Sequence, residues 1–248
     1  MGKNMLLDKL SSVDMDVISS LRERIYVMKI GWTTSMLLED MVITDMIARN
    51  NIDVEIATID TGRLPDETYQ LMETVKSEMG IDLKIYFPER EEIEDMINSR
   101  GINLFYHSVD NRHFCCNVRK VKPLKNILRN RSLWVTGIRA EQTVARKNAR
   151  KVEYVKDHNV WKVNPLLDWS RDEIWSYVSV HKVPYNILFN QNYKSIGCQP
   201  CTRAVGKDDD ERSGRWWWEN GVKECGLHLT GGVNTDLNLG KNSGDIVD

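Results

Sequence analysis

The sequence predicts an α/β fold: a doubly wound, mainly parallel sheet covered on both faces, with a C-terminal cysteine-bearing extension. Three observations carry this. Short β-rich segments alternate with amphipathic helical segments through the first half of the chain. The helical segments are bounded by proline, glycine and capping residues rather than fading out. A chain of 248 residues, 41% hydrophobic and 28% charged, is long enough to bury a full core without disulfides. The organisation expected is one domain over 1–248, with a core at about 13–205 and a C-terminal segment and tail at 206–248.

Residues 25–30 are β-rich and read as the first strand. Residues 37–49 follow with Leu37, Leu38, Met41, Val42, Met46 and Ile47 at helical spacing, which buries one face. Residues 54–59 read as a buried strand running into Asp60, Thr61 and Gly62. Pro65 opens a helix to about Met79 and Gly80 closes it. Residues 83–87 give a third strand and 89–100 an acidic helix; 133–135 and 160–163 are later strands. Ser170 and Glu173 form a capping box for a helix reaching about Val180. From Gly197 onward the periodic pattern gives way to cysteines, arginines and a tryptophan triplet, as in a functional segment laid over the core.

No uninterrupted apolar run exceeds four residues, so a membrane-spanning helix is excluded. The first ten residues lack an apolar stretch, so the expectation is no signal peptide and a cytoplasmic location. The formal charge of −2 hides an asymmetry: residues 112–151 carry twelve Lys or Arg against the single acid Glu141. Such a block serves a nucleic acid, a polyanionic small ligand or merely a solvated face.

The five cysteines fall as Cys115-Cys116, Cys198-Gln199-Pro200-Cys201 and Cys225. In a reducing compartment this odd count points to metal or catalysis rather than disulfides. Adjacent thiolates are awkwardly directed for one tetrahedral zinc ion, whereas a larger iron–sulfur cluster takes them on neighbouring corners. Zinc and plain buried thiols stand as the alternatives. Cys225 lies among charged residues and glycine, where it serves either as a nucleophile or as an uncommitted thiol. Two stretches suit anions. Asp60, Thr61, Gly62 and Arg63 lie where a strand should end, and Thr33, Thr34 and Ser35 precede a helix. Arg139, Arg212 and Arg215 offer planar forks for oxyanions. Trp216, Trp217 and Trp218 offer a stacking platform or, as for most tryptophans, core packing.

Several of these stretches together resemble the assimilatory adenylyl-sulfate reductases of the phosphoadenylyl-sulfate reductase family. They are Cys115-Cys116-x-x-Arg119-Lys120 and Gly197-Cys198-x-Pro200-Cys201-Thr202-Arg203, with Asp60-Thr61-Gly62-Arg63-Leu64 and Thr136-Gly137-Ile138-Arg139. Glu211-Arg212-Ser213-Gly214-Arg215-Trp216-Trp217-Trp218-Glu219 and Lys223-Glu224-Cys225-Gly226-Leu227-His228 complete the series, which runs from about Val13 to His228. The resemblance implies an adenine-nucleotide α-hydrolase-like fold and adenosine 5′-phosphosulfate as substrate. It implies a 4Fe–4S cluster on Cys115, Cys116, Cys198 and Cys201. It further implies Cys225 as the thiol that attacks sulfur, expels AMP and becomes S-sulfocysteine, with thioredoxin or glutaredoxin then releasing sulfite. The substrate site it implies draws on Lys120, Arg119, Arg139, Arg212, Arg215, His228, Ser35, Asp60, Thr61 and Gly62. No nucleic acid or membrane partner is implied, and homo-oligomerisation is left open.

One departure stands out. Leu37 occupies the place where the family's loop after the first strand carries glycine, and leucine does not readily adopt φ > 0. The expectation is a different loop geometry or weakened nucleotide binding. The rival readings are a reductase acting on the 3′-phosphorylated nucleotide and a weakened reductase homologue. A tRNA-thiolation relative would need a Ser-Gly-Gly loop that is absent, and a zinc-bearing nucleic-acid module would leave Cys225 idle.

Overall fold

The computed structural model describes residues 30–52 and 54–220. Its frame is a six-stranded sheet in the order β3-β2-β1-β4-β6-β5, built from β1 (Ile30–Thr34), β2 (Ile56–Ile59), β3 (Leu83–Tyr86), β4 (Leu133–Val135), β5 (Val152–Val155) and β6 (Val160–Val163). All neighbours are parallel except β5, which pairs antiparallel with β6 at the edge. The chain winds outward from β1 through β2 to β3, then returns to place β4 on the other side of β1. That reversal opens a crevice at the carboxyl ends of β1 and β4, where doubly wound sheets bind ligands.

Among the described residues the first strand continues past its expected end at Ile30 to Thr34, so Thr33 and Thr34 belong to it rather than to the loop that follows. Residues 25–29 lie outside the described residues. Strand β5 was not anticipated, because its alternation of polar and half-exposed residues is weak. Cross-strand pairs stabilise it: buried Lys162 meets Glu153 at 2.9 Å, and Tyr154 meets Trp161 edge to face with ring centres 5.3 Å apart.

Six α-helices of seven residues or more are described: α1 (Leu38–Arg49), α2 (Asp66–Met79), α3 (Arg90–Arg100), α4 (Val109–Cys116), α5 (Lys122–Leu128) and α6 (Arg171–His181). Their ends follow local chemistry. Gly80 closes α2 in the left-handed conformation, and the reciprocal Ser170–Glu173 capping box opens α6. Helices α1 and α6 pack together, and the Tyr177 hydroxyl donates to Asp45 at 3.0 Å across their buried seam. The core beneath is built from Trp32, Met41, Val42, Ile43, Met46, Val75, Leu133, Val135 and Ile174.

Between α4 and α5 the chain makes one turn of π-helix, Asn117–Val121. Pro123 accounts for it, since a proline there cannot donate to the Arg119 carbonyl and its ring crowds that turn. The widened turn lies directly after Cys115 and Cys116 and carries Arg119 and Lys120.

Residues 197–219 lie over the sheet's carboxyl edge as a covering segment. Thr202 bridges to Arg215, and Glu219 is pinned to α4 by the buried Arg112 fork at 2.7 Å. Removing one member of a buried pair strands the other charge, at a cost of about 3–5 kcal/mol. Glu219→Ala is therefore expected to lower unfolding free energy by about that amount in a denaturant titration; a loss below about 1 kcal/mol would show the pair to be solvated.

Candidate active site

Two cavities adjoin at the carboxyl edge. The larger is an open cleft at the switch point, enclosing about 1070 Å³ of empty space with its mouth included. Its walls are the ends of β1 (Thr33, Thr34), β2 (Thr58, Ile59) and β4 (Trp134), with the loops that follow each strand. Lys120, Arg146, Arg212 and Arg215 line it as cations, while Leu64, Met72, Leu124 and Ile138 give it an apolar side. A cleft lined by both cations and apolar side chains suits a nucleotide whose anionic end and flat base need different surroundings.

The smaller cavity is lined by all four cysteines of the two pairs, together with Arg63, Arg112, Arg119, Lys120, Arg215 and Trp216. Cys115, Cys116, Cys198 and Cys201 are all buried. Local contacts place the Cys198–Cys201 knuckle. The Thr61 hydroxyl lies 3.2 Å from Cys198 Sγ, the Gln199 N–H donates to the Arg63 carbonyl at 2.8 Å, and the Tyr106 hydroxyl donates to the Pro200 carbonyl at 2.9 Å. The loop after β2 thus touches both cavities. Its Gly62 takes φ +68, and Arg119 crosses to donate to the Thr61 carbonyl at 2.6 Å.

The thiols differ in their electrostatics. Burial pushes Cys201 up to about 12, and negative charge on Cys198 adds to the shift. Burial also pushes Cys198 up, but Lys120, the Thr61 hydroxyl, Arg215 and Arg119 together bring it below the usual thiol range. Burial holds Cys115 above its ordinary value against the pull of Arg119. Among the described residues, no three His, Cys, Asp or Glu side chains converge closely enough for a single metal ion. The four sulfurs instead line the wall of one cavity. Buried donors remain there too: Arg215 Nε and Trp216 Nε1 have no hydrogen-bond partner among the described residues. An all-sulfur donor set with spare N–H groups and surrounding cations fits a thiolate-bound iron–sulfur cluster.

Lys120 and Arg215 line both cavities. Arg215 is wedged against Gly197, where a Cβ would come within 2.2 Å of the guanidinium, and it stacks on Trp216 at 4.7 Å. Trp216 also carries Arg112 and Arg212 at 4.6 and 5.9 Å. It is fully buried with the cysteines, so core packing accounts for this member of the triplet.

The remaining site candidates are distributed unevenly. Arg212 lines the cleft and donates to the Ser195 hydroxyl at 3.4 Å. Arg139 is completely buried and committed to carboxylates: Nε donates to Glu39 at 2.7 Å and Nη2 to Glu211 at 2.8 Å. It does not line the cleft, which places it behind the wall. Asp60 is turned inward, accepting from the Gly62 N–H at 2.7 Å and the Tyr69 hydroxyl at 2.9 Å. Ser35 is exposed at the cleft but spends its hydroxyl on Asp40 at 2.6 Å. Cys225 and His228 lie outside the described residues.

The loop after β1 differs from expectation in an informative way. Leu37 is extended at φ −80, and Met36 takes the left-handed conformation at φ 60. Such strain in a non-glycine residue costs about 1–3 kcal/mol. Asp40, not singled out from the sequence, closes this turn by accepting from the Ser35 backbone N–H at 2.6 Å. The available signal was its place in Ser35-Met36-Leu37-Leu38-Glu39-Asp40, which departs at Leu37 but otherwise follows the Ser-x-Gly-x-Glu-Asp loop of the resembled family. Arg146 and Gln142 were likewise missed, although they follow Arg139 within one loop that borders the cleft.

The Phosphoadenosine phosphosulfate reductase domain model matches residues 29–204. The chain belongs to this reductase family. Among its relatives, adenosine 5′-phosphosulfate reductase of Allochromatium vinosum is 48% identical over 200 residues, covering 80% of this chain and 78% of that one. The enzyme of the same name from Sinorhizobium fredii strain USDA 257 is 43% identical over 229 residues, covering 90% and 89%. The phosphate complex of phosphoadenylyl-sulfate reductase from Candida auris superposes with a TM-score of 0.62 at 25% identity, covering 83% of this chain and 98% of that one. NMN synthetase of Francisella tularensis shares the fold alone, with a TM-score of 0.52 at 9% identity and coverage of 72% and 73%. Family membership thus agrees with the adenine-nucleotide α-hydrolase-like architecture expected from the sequence.

Burial raises Asp40 from an ordinary 3.8 to about 6, opposed by the Ser35 hydrogen bonds and reinforced by Glu39. The folded state therefore holds this proton more tightly than the unfolded chain. Its contribution to stability is full below 3.8 and is lost as pH rises through about 6. Asp40→Asn is expected to remove that slope from the pH dependence of unfolding free energy; an unchanged slope would show that Asp40 is not the group responsible.

Proposed function

We propose that this chain reduces adenosine 5′-phosphosulfate to sulfite and AMP, in sulfate assimilation, through a covalent intermediate on Cys225. The observation that carries the reading is the shared wall. Lys120 and Arg215 stand between a nucleotide-sized cleft and a cavity lined by four cysteines. The Cys225 thiolate attacks the sulfate sulfur and forms an S–S bond while the bond from sulfur to the phosphate oxygen breaks. AMP leaves with that electron pair. A thiolate of reduced thioredoxin or glutaredoxin then attacks Cys225 Sγ, sulfite departs, and the donor's second thiol resolves the mixed disulfide. Both electrons come from the donor dithiol.

Attack of an anion on an anion needs its charge offset, which is the work of preorganised cations. Lys120, Arg212 and Arg215 line the cleft for this purpose, and we assign the same work to His228, which lies outside the described residues. Arg119 and Arg139 act from behind, Arg119 on the Thr61 carbonyl and Arg139 on the carboxylates that fix the walls. Ser35, Asp60, Thr61 and Gly62 shape the turns that receive the nucleotide. Cys115, Cys116, Cys198 and Cys201 hold a 4Fe–4S cluster, whose contribution when bound is to tune the local field. No helix among the described residues is long and apolar enough to cross a membrane. We place the enzyme in the cytoplasm as a single domain over 1–248, acting without nucleic acid.

A second reading, the 3′-phosphorylated nucleotide as substrate, is favoured by the likeness to the Candida auris enzyme. Direct competition between the two nucleotides separates them. The covalent step is tested by intact-mass measurement after anaerobic incubation with adenosine 5′-phosphosulfate and no thiol donor. A sulfonate adduct on Cys225, released by reduced thioredoxin and missing from Cys225→Ser, is the expected result. Sulfite production by Cys225→Ser would overturn the assignment.

A further inference from the structure

The turn after β1 asks one residue to adopt a left-handed backbone, and this chain has no glycine there. Met36 takes that conformation at φ 60 with its side chain buried. Asp40 closes the turn: its Oδ2 accepts from the backbone N–H and the hydroxyl of Ser35, each at 2.6 Å. Its Oδ1 occupies the space that Gly137 leaves free, where a Cβ would stand 2.3 Å away. Asp40 is therefore wedged between the turn after β1 and the loop after β4, the two walls of the switch-point crevice. Ser35, Leu37, Asp40 and Gly137 all line the cleft.

We propose that Asp40 is a positioning residue for the nucleotide: its carboxylate clasps the Ser35 turn, offsets the strain of the left-handed backbone at Met36, and so holds the β1 wall of the cleft in the shape that receives the ligand. The identity of that ligand rests on the reductase reading. The clasp is charge-assisted, since an ionised carboxylate accepts more strongly than a protonated one. The groups facing Asp40 reinforce its dependence on pH. Glu39 beside it on α1 adds like charge, while Arg139, from the loop after β4, is engaged by Glu39 and Glu211. Lys120, Arg146, Arg212 and Arg215 line the same cleft.

The test compares full-length wild type with Asp40→Asn, Met36→Gly, Leu37→Gly and the Met36→Gly/Asp40→Asn double variant. The readouts are steady-state reduction of adenosine 5′-phosphosulfate with reduced thioredoxin and calorimetric Kd for AMP at a fixed neutral pH. Asp40→Asn is expected to raise KM and the AMP Kd about tenfold with kcat within about twofold, the loss of one charge-assisted contact. Wild-type KM should rise as pH falls through about 6, and this step should vanish in Asp40→Asn. In the Met36→Gly background the same substitution should raise KM by less than about threefold, because glycine needs no clasp. Leu37→Gly should give no such protection, since Leu37 already sits at φ −80.

Equal KM and Kd for wild type and Asp40→Asn would overturn the proposal, as would an undiminished penalty in the Met36→Gly background. Should Asp40→Asn not fold, Ser35→Ala removes one donor of the clasp, and an unchanged KM and Kd there would be equally decisive. Wild type that binds AMP but reduces no sulfonucleotide would sink the reductase reading and leave the AMP arm to decide the clasp. Wild type that binds no AMP would overturn the clasp itself.

Discussion

One buried guanidinium ties the site together. Arg139 follows β4, Glu39 opens α1 after β1, and Glu211 immediately precedes Arg212 in the covering segment. The Arg139 fork takes both carboxylates while remaining fully buried. Burial works against its charge, and Glu39 and Glu211 more than restore it. A lysine could not make this bridge, since it lacks the divergent planar donors that reach two carboxylates at once. Both sides of the switch point and the segment above them are thereby fixed to one another. The cost of burying charge is offset by position: the cations that follow Glu211 are delivered to the cleft.

That delivery explains how an ordinary doubly wound sheet becomes a reductase site. The fold is shared with NMN synthetase at 9% identity, so the architecture does not choose the reaction. In this chain the site is made by the material laid on the sheet's carboxyl edge. A proline-induced π turn presents Arg119 and Lys120 beside Cys115 and Cys116. The loop after β2 carries Thr61 to Cys198, and Trp216 supports Arg112 and Arg215 around the same cavity. The cysteine cavity and the nucleotide cleft are therefore neighbours with a common cationic wall, and a charge change in one is felt in the other.

Much of this was legible from the sequence where the causes are local. Gly80, the Ser170–Glu173 box and the hydrophobic stripe of α1 each act within a few residues, so their elements were placed nearly at their observed bounds. Strand β1 continues past its expected end at Ile30 because pairing with β2 and β4, which lie far away in sequence, carries it through Thr34. Strand β5 was hidden because its stabilising partners lie on β6. The grouping of Cys115, Cys116, Cys198 and Cys201 was legible from motif resemblance, and the structure brings them to one cavity. The commitment of Arg139 was not legible, because its partners lie 100 and 72 positions away. Nor was the strained position in the β1 turn: the sequence pointed to Leu37, whereas the backbone places the burden on Met36.

The most direct test of the common wall is spectroscopic. Anaerobically purified protein would be analysed for iron and acid-labile sulfide, and its Mössbauer spectrum recorded with and without saturating AMP. Iron and sulfide in equal amounts and a spectrum that shifts when the nucleotide binds are expected, because Lys120 and Arg215 line both cavities. Zinc in place of iron, or a cluster spectrum indifferent to bound nucleotide, would contradict this expectation.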